Sequence, residues 1–258
     1  MRSFDKEFTT RGAALVTGAS RGLGFALANE LKRHRYTLII SGRDAEALKK
    51  SAEKLGEGTR VYTADLSVPG EAERLYQRIK DDGINLSVLV NNAGIGGSGE
   101  LWSVPDKTDK DMIEINVRSA VVLTKLFLSD ACARGYGSLL NVCSVAAFQP
   151  GPYMASYYAS KAYLHSYTTA ARYEAKKYGV NGSSLCPGPL DTDFFRNAGA
   201  NTPIGAMSAE KAAEYAVNKF LKGKKTIVPG FYNRAARLLP QSLKTAFVAS
   251  IKRQDKNK

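Results

Sequence analysis

Cysteine is scarce: the 258 residues hold three, Cys132, Cys143 and Cys186. The number is odd and no CxxC or short Cys/His spacing accompanies it, so neither a disulfide framework nor a zinc site is implied. Reduced core thiols and no metal are the expectation. Nowhere does an uninterrupted apolar stretch approach the roughly 20 residues needed to span a bilayer. Residues 1–11 (MRSFDKEFTTR) carry charges of both signs and no apolar run. A cytoplasmic, non-exported protein is expected. Repeats, low-complexity segments and Pro/Ser-rich linkers are also absent, which leaves one domain over residues 1–258.

Charge is unbalanced. Lys and Arg number 37 against 24 Asp and Glu, a net +13, with basic clusters at 222–225 (KGKK) and 252–258 (KRQDKNK). Such an excess suits nucleic acid, an anionic membrane or anionic small molecules. No zinc-finger, RNP-type or heptad pattern accompanies it, so no nucleic-acid partner is expected.

Short apolar runs rich in β-branched residues alternate with longer, charged, 3.6-periodic stretches, the pattern of βαβ units around a parallel sheet. Strands are predicted near 13–17, 37–41, 60–64, 86–91, 137–143, 180–186 and 226–228. Helices are predicted at 24–34, 45–55, 72–82, 109–134, 155–178 and 209–221. The fold class is therefore α/β, a doubly wound seven-stranded parallel sheet with helices on both faces. Ligands of such sheets bind beyond the carboxyl ends of the strands, where strand order reverses.

The first strand runs into Thr17-Gly18-Ala19-Ser20-Arg21-Gly22-Leu23-Gly24 and then a helix. Glycines let backbone amides approach a pyrophosphate, whose charge is favoured at a helix N-terminus. The spacing is GxxxGxG rather than GxGxxG. Taken with Asp65-Leu66, Asn91-Asn92-Ala93-Gly94, Ser144 and Tyr157-xxx-Lys161 in that order, the chain resembles the short-chain dehydrogenase/reductase family from residue 13 to about 192. The resemblance implies that Gly18, Ser20, Gly22, Leu23, Asp65, Leu66, Asn91 and Gly94 bind a dinucleotide cofactor. Asp65 and the Asn pair can equally serve as turn residues.

Cofactor preference has a physical reading. An acid about 20 residues beyond the loop would bind a ribose 2′-hydroxyl and repel a 2′-phosphate, whereas arginine would attract the phosphate. Here Ser41-Gly42-Arg43 offers no acid, and Arg21 and Arg43 supply two guanidinium groups. NADP(H) is the expected cofactor. Asp44, directly before a helical stretch, reads as an N-cap.

Carbonyl reduction builds negative charge on oxygen and needs a proton donor. Tyrosine serves if a nearby ammonium lowers its pKa from about 10. Tyr157 and Lys161, four apart, share one helix face. The resemblance makes Tyr157 the proton donor or acceptor, Lys161 its tuning charge and a ribose ligand, Ser144 the residue that orients the substrate oxygen, and Asn116 a member of a proton relay. It also gives Leu190 and Thr192, in Pro187-Gly188-Pro189-Leu190-Asp191-Thr192, contacts with the nicotinamide. Ser144 lacks flanking glycines, so the GxSxG elbow of a hydrolase is missing.

Residues 193–208, with Phe194 and Phe195, are expected to form a lid, and Phe148, Tyr153, Met154 and Trp102 to wall a hydrophobic site. Residues 229–258 are an amphipathic basic extension, read as packing on the domain or on a partner subunit, with weak membrane-surface contact as an alternative. The expected partner is a small carbonyl or alcohol substrate, in a homodimer or homotetramer. The expected activity is NADPH-dependent ketone/alcohol oxidoreduction, with 3-oxoacyl thioester reduction or non-enzymatic NADP(H)-binding regulation as alternatives.

Overall fold

A computed structural model of the chain describes residues 11–201, 205–236 and 240–254. The segment Ala13–Thr17 (β1) is almost wholly buried, as a strand covered on both faces must be. Its pleat separates its side chains: Ala14 and Val16 enter one hydrophobic core, Leu15 another. The chain continues through α1 (Gly22–Arg33), β2 (Thr37–Gly42), α2 (Ala45–Leu55), β3 (Arg60–Thr63), α3 (Glu71–Asp81) and β4 (Leu86–Asn91). It then forms α4 (Asp106–Ile113), α5 (Ala120–Arg134), β5 (Gly137–Val142), α6 (Ala155–Ala175) and β6 (Val180–Leu185). The last third holds β7 (Leu190–Asp191), α7 (Phe194–Asn197), β8 (Met207–Ser208), α8 (Ala209–Phe220), β9 (Thr226–Ile227), α9 (Phe231–Ala236) and α10 (Gln241–Gln254).

Seven strands make one parallel sheet in the order β3-β2-β1-β4-β5-β6-β9, as the alternating pattern predicts. One core lies between the sheet and α1, α2 and α8 (Leu27, Leu31, Ile40, Leu48, Val217, Phe220), the other against α3 and α5 (Ile39, Leu75, Ile79, Leu89, Phe127). Each such fully buried side chain contributes about 1.5–3 kcal/mol. Strand order reverses between β1 and β4, so the site is expected beyond Thr17 and Asn91. Asp44 caps α2 as expected, accepting a hydrogen bond from Ala47 N at 3.0 Å. No helix among the described residues is long and apolar enough to cross a membrane.

Three elements differ from expectation. The single helix predicted over 109–134 is α4, a π-helical segment Glu114–Ser119 and α5 in succession. The apolar period continues through all three, so sequence alone merges them. The lid region contains α7 and the two-residue strand β8, which pairs in parallel with β7. Residues 202–204 of the lid, including Pro203, lie outside the described residues.

Helix α10, within the basic extension, packs against the domain. In α10, Val248 is buried and Lys244 Nζ donates to the Phe148 carbonyl at 3.1 Å. Arg237, Leu238, Leu239 and residues 255–258 of that extension lie outside the described residues, as do the side chains of Phe247, Ile251, Lys252 and Arg253.

Candidate active site

Thr17, at the end of β1, fastens two neighbouring loops. Its buried hydroxyl accepts from Asn92 N and Ala93 N, both at 3.0 Å, and the Asn92 side-chain amide donates to the carbonyls of Thr17 (2.9 Å) and Gly18 (3.1 Å). Asn92, a position given no individual role from sequence, thus holds the glycine loop in place. A Cβ at Gly24 would sit 2.2 Å from Gly18 O, so only glycine fits there. No side chain caps α1 and its first turn holds no acid, which leaves amide donors facing the loop for an anion. This cradle suits the pyrophosphate of a dinucleotide.

One long cleft runs from this loop across the sheet. It is lined by Gly18, Ser20, Arg21, Gly22 and Leu23, by Arg43, Asp65, Leu66 and Gly94, and by Ser144, Tyr157, Lys161, Leu190 and Thr192. Asn91 is the exception among the expected cofactor residues. Its amide turns inward and donates to Ala120 O (3.2 Å), Thr124 Oγ1 (3.0 Å) and Asn141 Oδ1 (2.9 Å), tying β4 to α5 and β5. The strand pleat alternates Asn91 and Asn92 between the interior and the loop.

Asp65 also acts locally. Hydrogen bonds from Ser67, the hydroxyl at 2.7 Å and the amide at 3.0 Å, hold its carboxyl below the usual carboxylate range against the cost of burial, and Arg43 adds to the effect. It therefore serves the turn reading while still facing the cleft. Arg21 reaches toward Asp193 of the lid at 3.8 Å, an exposed pair that contributes little energy and could exchange for a stronger anion.

The π segment has a specific product. It turns Asn116 inward, 1% exposed, where its oxygen accepts from Ile95 N (2.9 Å) and its amide donates to Ile95 O (2.9 Å) and Ser160 Oγ (3.1 Å). Ser160 in turn donates to the Tyr157 carbonyl at 2.7 Å, so Asn116 links the β4 loop to α6. Replacing Asn116 with Ala should cost about 1–3 kcal/mol, because the Ile95 amide and carbonyl and the Ser160 hydroxyl lose their shared partner. Chemical denaturation would measure it, and a loss under about 0.5 kcal/mol would contradict this role.

Ser144, Tyr157 and Lys161 meet at the centre of the cleft. Ser144 follows β5; its hydroxyl accepts from Ala146 N at 3.1 Å and lies close enough to the Tyr157 hydroxyl to favour its phenolate. Lys161 is 4% exposed, donates to Val142 O at 2.9 Å, and places Nζ 5.8 Å from the centroid of the Tyr157 ring. A Cβ on Gly94 would lie 3.2 Å from that ammonium, so glycine there leaves it room. Phe194 of α7 packs on the Tyr157 ring at 5.2 Å between centroids.

Here the expected pKa logic needs correction. Burial, not the Lys161 charge, sets the direction of the Tyr157 shift. Desolvation raises the Tyr157 hydroxyl above its ordinary value, and the neighbouring Ser144 hydroxyl opposes this only in part. Desolvation likewise lowers Lys161. The tyrosine is thereby kept as a phenol, the form a proton donor to a developing alkoxide requires.

The walls also differ from expectation. Phe148, Met154, Phe194 and Phe195 line the cleft, joined by Tyr158 and by Leu243, Lys244 and Val248 of α10. Trp102 stands in solvent, 84% exposed on a short 3-10 turn, and Tyr153 lines a small neighbouring pocket instead. Their apolar chemistry gave no signal of direction. The contribution of α10 was likewise invisible, since an amphipathic helix does not name the surface it covers.

Comparison with known proteins agrees with the site. The family model of the short chain dehydrogenase matches residues 12–203. The chain is 36% identical over 184 residues to a very-long-chain 3-oxoacyl-CoA reductase of Anas platyrhynchos, covering 67% of this chain and 58% of that protein. It is 34% identical over 206 residues to a 1-deoxy-11-beta-hydroxypentalenate dehydrogenase of Streptomyces exfoliatus, covering 75% of each. Among solved structures it is similar to an alcohol dehydrogenase of the archaeon Thermococcus sibiricus complexed with 5-hydroxy-NADP (TM-score 0.76, 27% identity, 84% of this chain and 95% of that one). It also shares the fold of a short-chain dehydrogenase from Sphingobium yanoikuyae in complex with NADPH (TM-score 0.81, 23% identity, 93% and 96% covered). The chain belongs to the short chain dehydrogenase family, oxidoreductases that use a nicotinamide cofactor to interconvert CH–OH and C=O.

Proposed function

We propose that the chain is an NADPH-dependent reductase of hydrophobic ketones, and that the convergence of Ser144, Tyr157 and Lys161 at one aromatic-walled cleft, with Asn116 buried behind them, carries this reading. Bound in the cleft, the reduced nicotinamide would supply the hydride. Tyr157 would give its phenolic proton to the carbonyl oxygen, and the Ser144 hydroxyl would hold that oxygen in line. Lys161 would hold the ribose and favour the phenolate left behind. The Phe194 ring over Tyr157 would exclude water and bind the apolar part of the substrate.

Arg21 and Arg43 at the loop end of the cleft support a 2′-phosphate and hence NADPH. The kcat/KM for NADPH should exceed that for NADH by tenfold or more, about 1.4 kcal/mol, and Arg43→Ala should erase most of the difference. Steady-state rates with both cofactors check this, and a ratio favouring NADH would overturn the assignment. A second reading is reduction of a 3-oxoacyl thioester, favoured by Lys244 at the substrate end, where a cation suits an anionic carrier group. The intact catalytic group weighs against a purely regulatory NADP(H)-binding protein. A panel of ketones, aldehydes and 3-oxoacyl thioesters separates these readings by kcat/KM.

A further inference from the structure

The two strands that end at the catalytic centre also carry a cluster that the proposed reaction does not use. In β5 and β6, Val142 pairs with Leu185 in parallel register, so the residues that follow, Cys143 and Cys186, lie side by side. Backbone bonds fix both: Cys143 N donates to Leu185 O and Cys186 N to Ile227 O, each at 2.7 Å. They are 2% and 0% exposed. Helix α6 crosses this surface and, one turn beyond Lys161, sets His165 against them. The two Sγ atoms and a ring nitrogen of His165 all lie within 4.8 Å of one another.

His165 is held in place but incompletely satisfied. Its ring packs edge-on against Phe148 at 5.2 Å between centroids, and its Nδ1 is buried with no hydrogen-bond partner. A buried ring nitrogen without a partner costs free energy that a ligand would recover. The spacing of 143, 165 and 186 matches no short metal motif, which is why the sequence implied no metal; tertiary structure brings together what the spacing separates.

We propose that Cys143, His165 and Cys186 form a buried binding site for a thiolate-preferring d10 cation, with Zn2+ as the representative ion. Two thiolates and a neutral imidazole are a donor set that Zn2+ prefers, and they neutralise its charge, as a site this deep requires. Zn–S bonds of about 2.3 Å and Zn–N bonds of about 2.0–2.1 Å at tetrahedral angles put ligand atoms roughly 3.5–3.8 Å apart. The observed cluster, within 4.8 Å, has to contract by about 1.3 Å at most, within the reach of side-chain rotations. Binding balances as Zn2+ plus two Cys–SH plus neutral His giving the neutral Zn(Cys)2His unit and two released protons. Cys143 also lines the active-site cleft, the side from which the cluster comes nearest to solvent.

The test uses the full chain, reduced and stripped with a chelator, then titrated with Zn2+ and dialysed before elemental analysis. One equivalent should be retained, and Co2+ used in its place should give a thiolate-to-metal charge-transfer absorption. His165→Gln and Cys186→Ser should each weaken binding by at least about 10-fold, while Cys132→Ser, away from the cluster, should leave it unchanged. NADPH binding by each variant reports whether it is folded, and the wild-type titration stands without any variant. Retention below a tenth of an equivalent, or one equivalent that survives both substitutions in folded protein, would overturn the site.

Discussion

Tyr157→Phe is expected to lower turnover by about two to four orders of magnitude, the usual contribution of a positioned general acid, while cofactor affinity stays within about threefold. The substitution removes one oxygen. The ring remains to pack on Phe194 and to face the Lys161 ammonium, so the shape of the cleft and the ribose side are preserved. Ser144 keeps its bond from Ala146 N. What is lost is the proton for the developing alkoxide. Burial holds the native phenol protonated at neutral pH, the state a proton donor needs. Steady-state kinetics with fluorescence titration of NADPH would separate the two effects. A variant retaining a tenth of wild-type turnover would place the proton donor elsewhere.

The second large effect is expected at Gly24. Alanine there places Cβ 2.2 Å from Gly18 O and 2.4 Å from Asn92 Nδ2. Neither neighbour can yield cheaply: one is backbone and the other is held by bonds to Thr17 O and Gly18 O. The loop must move away from α1, and the amides that would meet a pyrophosphate move with it. Gly24→Ala should therefore weaken cofactor binding by tenfold or more and cost about 1–3 kcal/mol of stability, as overpacking does. Gly83→Ala is the control. Gly83 has φ +72 with nothing within 4 Å of an added Cβ, so alanine there should cost about 1 kcal/mol of backbone strain and leave cofactor binding alone. Calorimetric titration and thermal unfolding check both, and equal cofactor affinity in the two variants would contradict this account of the loop.

Much of the fold could be read before the coordinates because parallel strands buried on both faces are written as continuous apolar runs, and Ala13–Thr17 and Leu86–Asn91 are such runs. The cofactor loop and the Ser144, Tyr157 and Lys161 set were legible for a different reason, since loops at strand ends need particular residues at fixed spacing. What stayed hidden depends on direction and distance. The period over 109–134 does not reveal the π segment that turns Asn116 inward. Asn91 and Asn92 look alike in sequence, yet one is a strut between strands and the other fastens the glycine loop. Lys161 beside Tyr157 suggested a lowered tyrosine, but burial, which no spacing reports, sets the direction. Trp102 carried the composition of a cleft wall and stands in water, while α10 supplies the wall that closes the substrate end.

The central claim is that this cleft delivers hydride to a carbonyl carbon. Single-turnover reactions of the wild-type protein with NADPH deuterated at nicotinamide C4, on both faces in separate experiments, would test it most directly by mass spectrometry of the alcohol formed. The account predicts deuterium on the carbinol carbon from one face only, with at least one hydrophobic ketone or 3-oxoacyl thioester of the panel. Tight NADPH binding with no labelled alcohol from any carbonyl would contradict it.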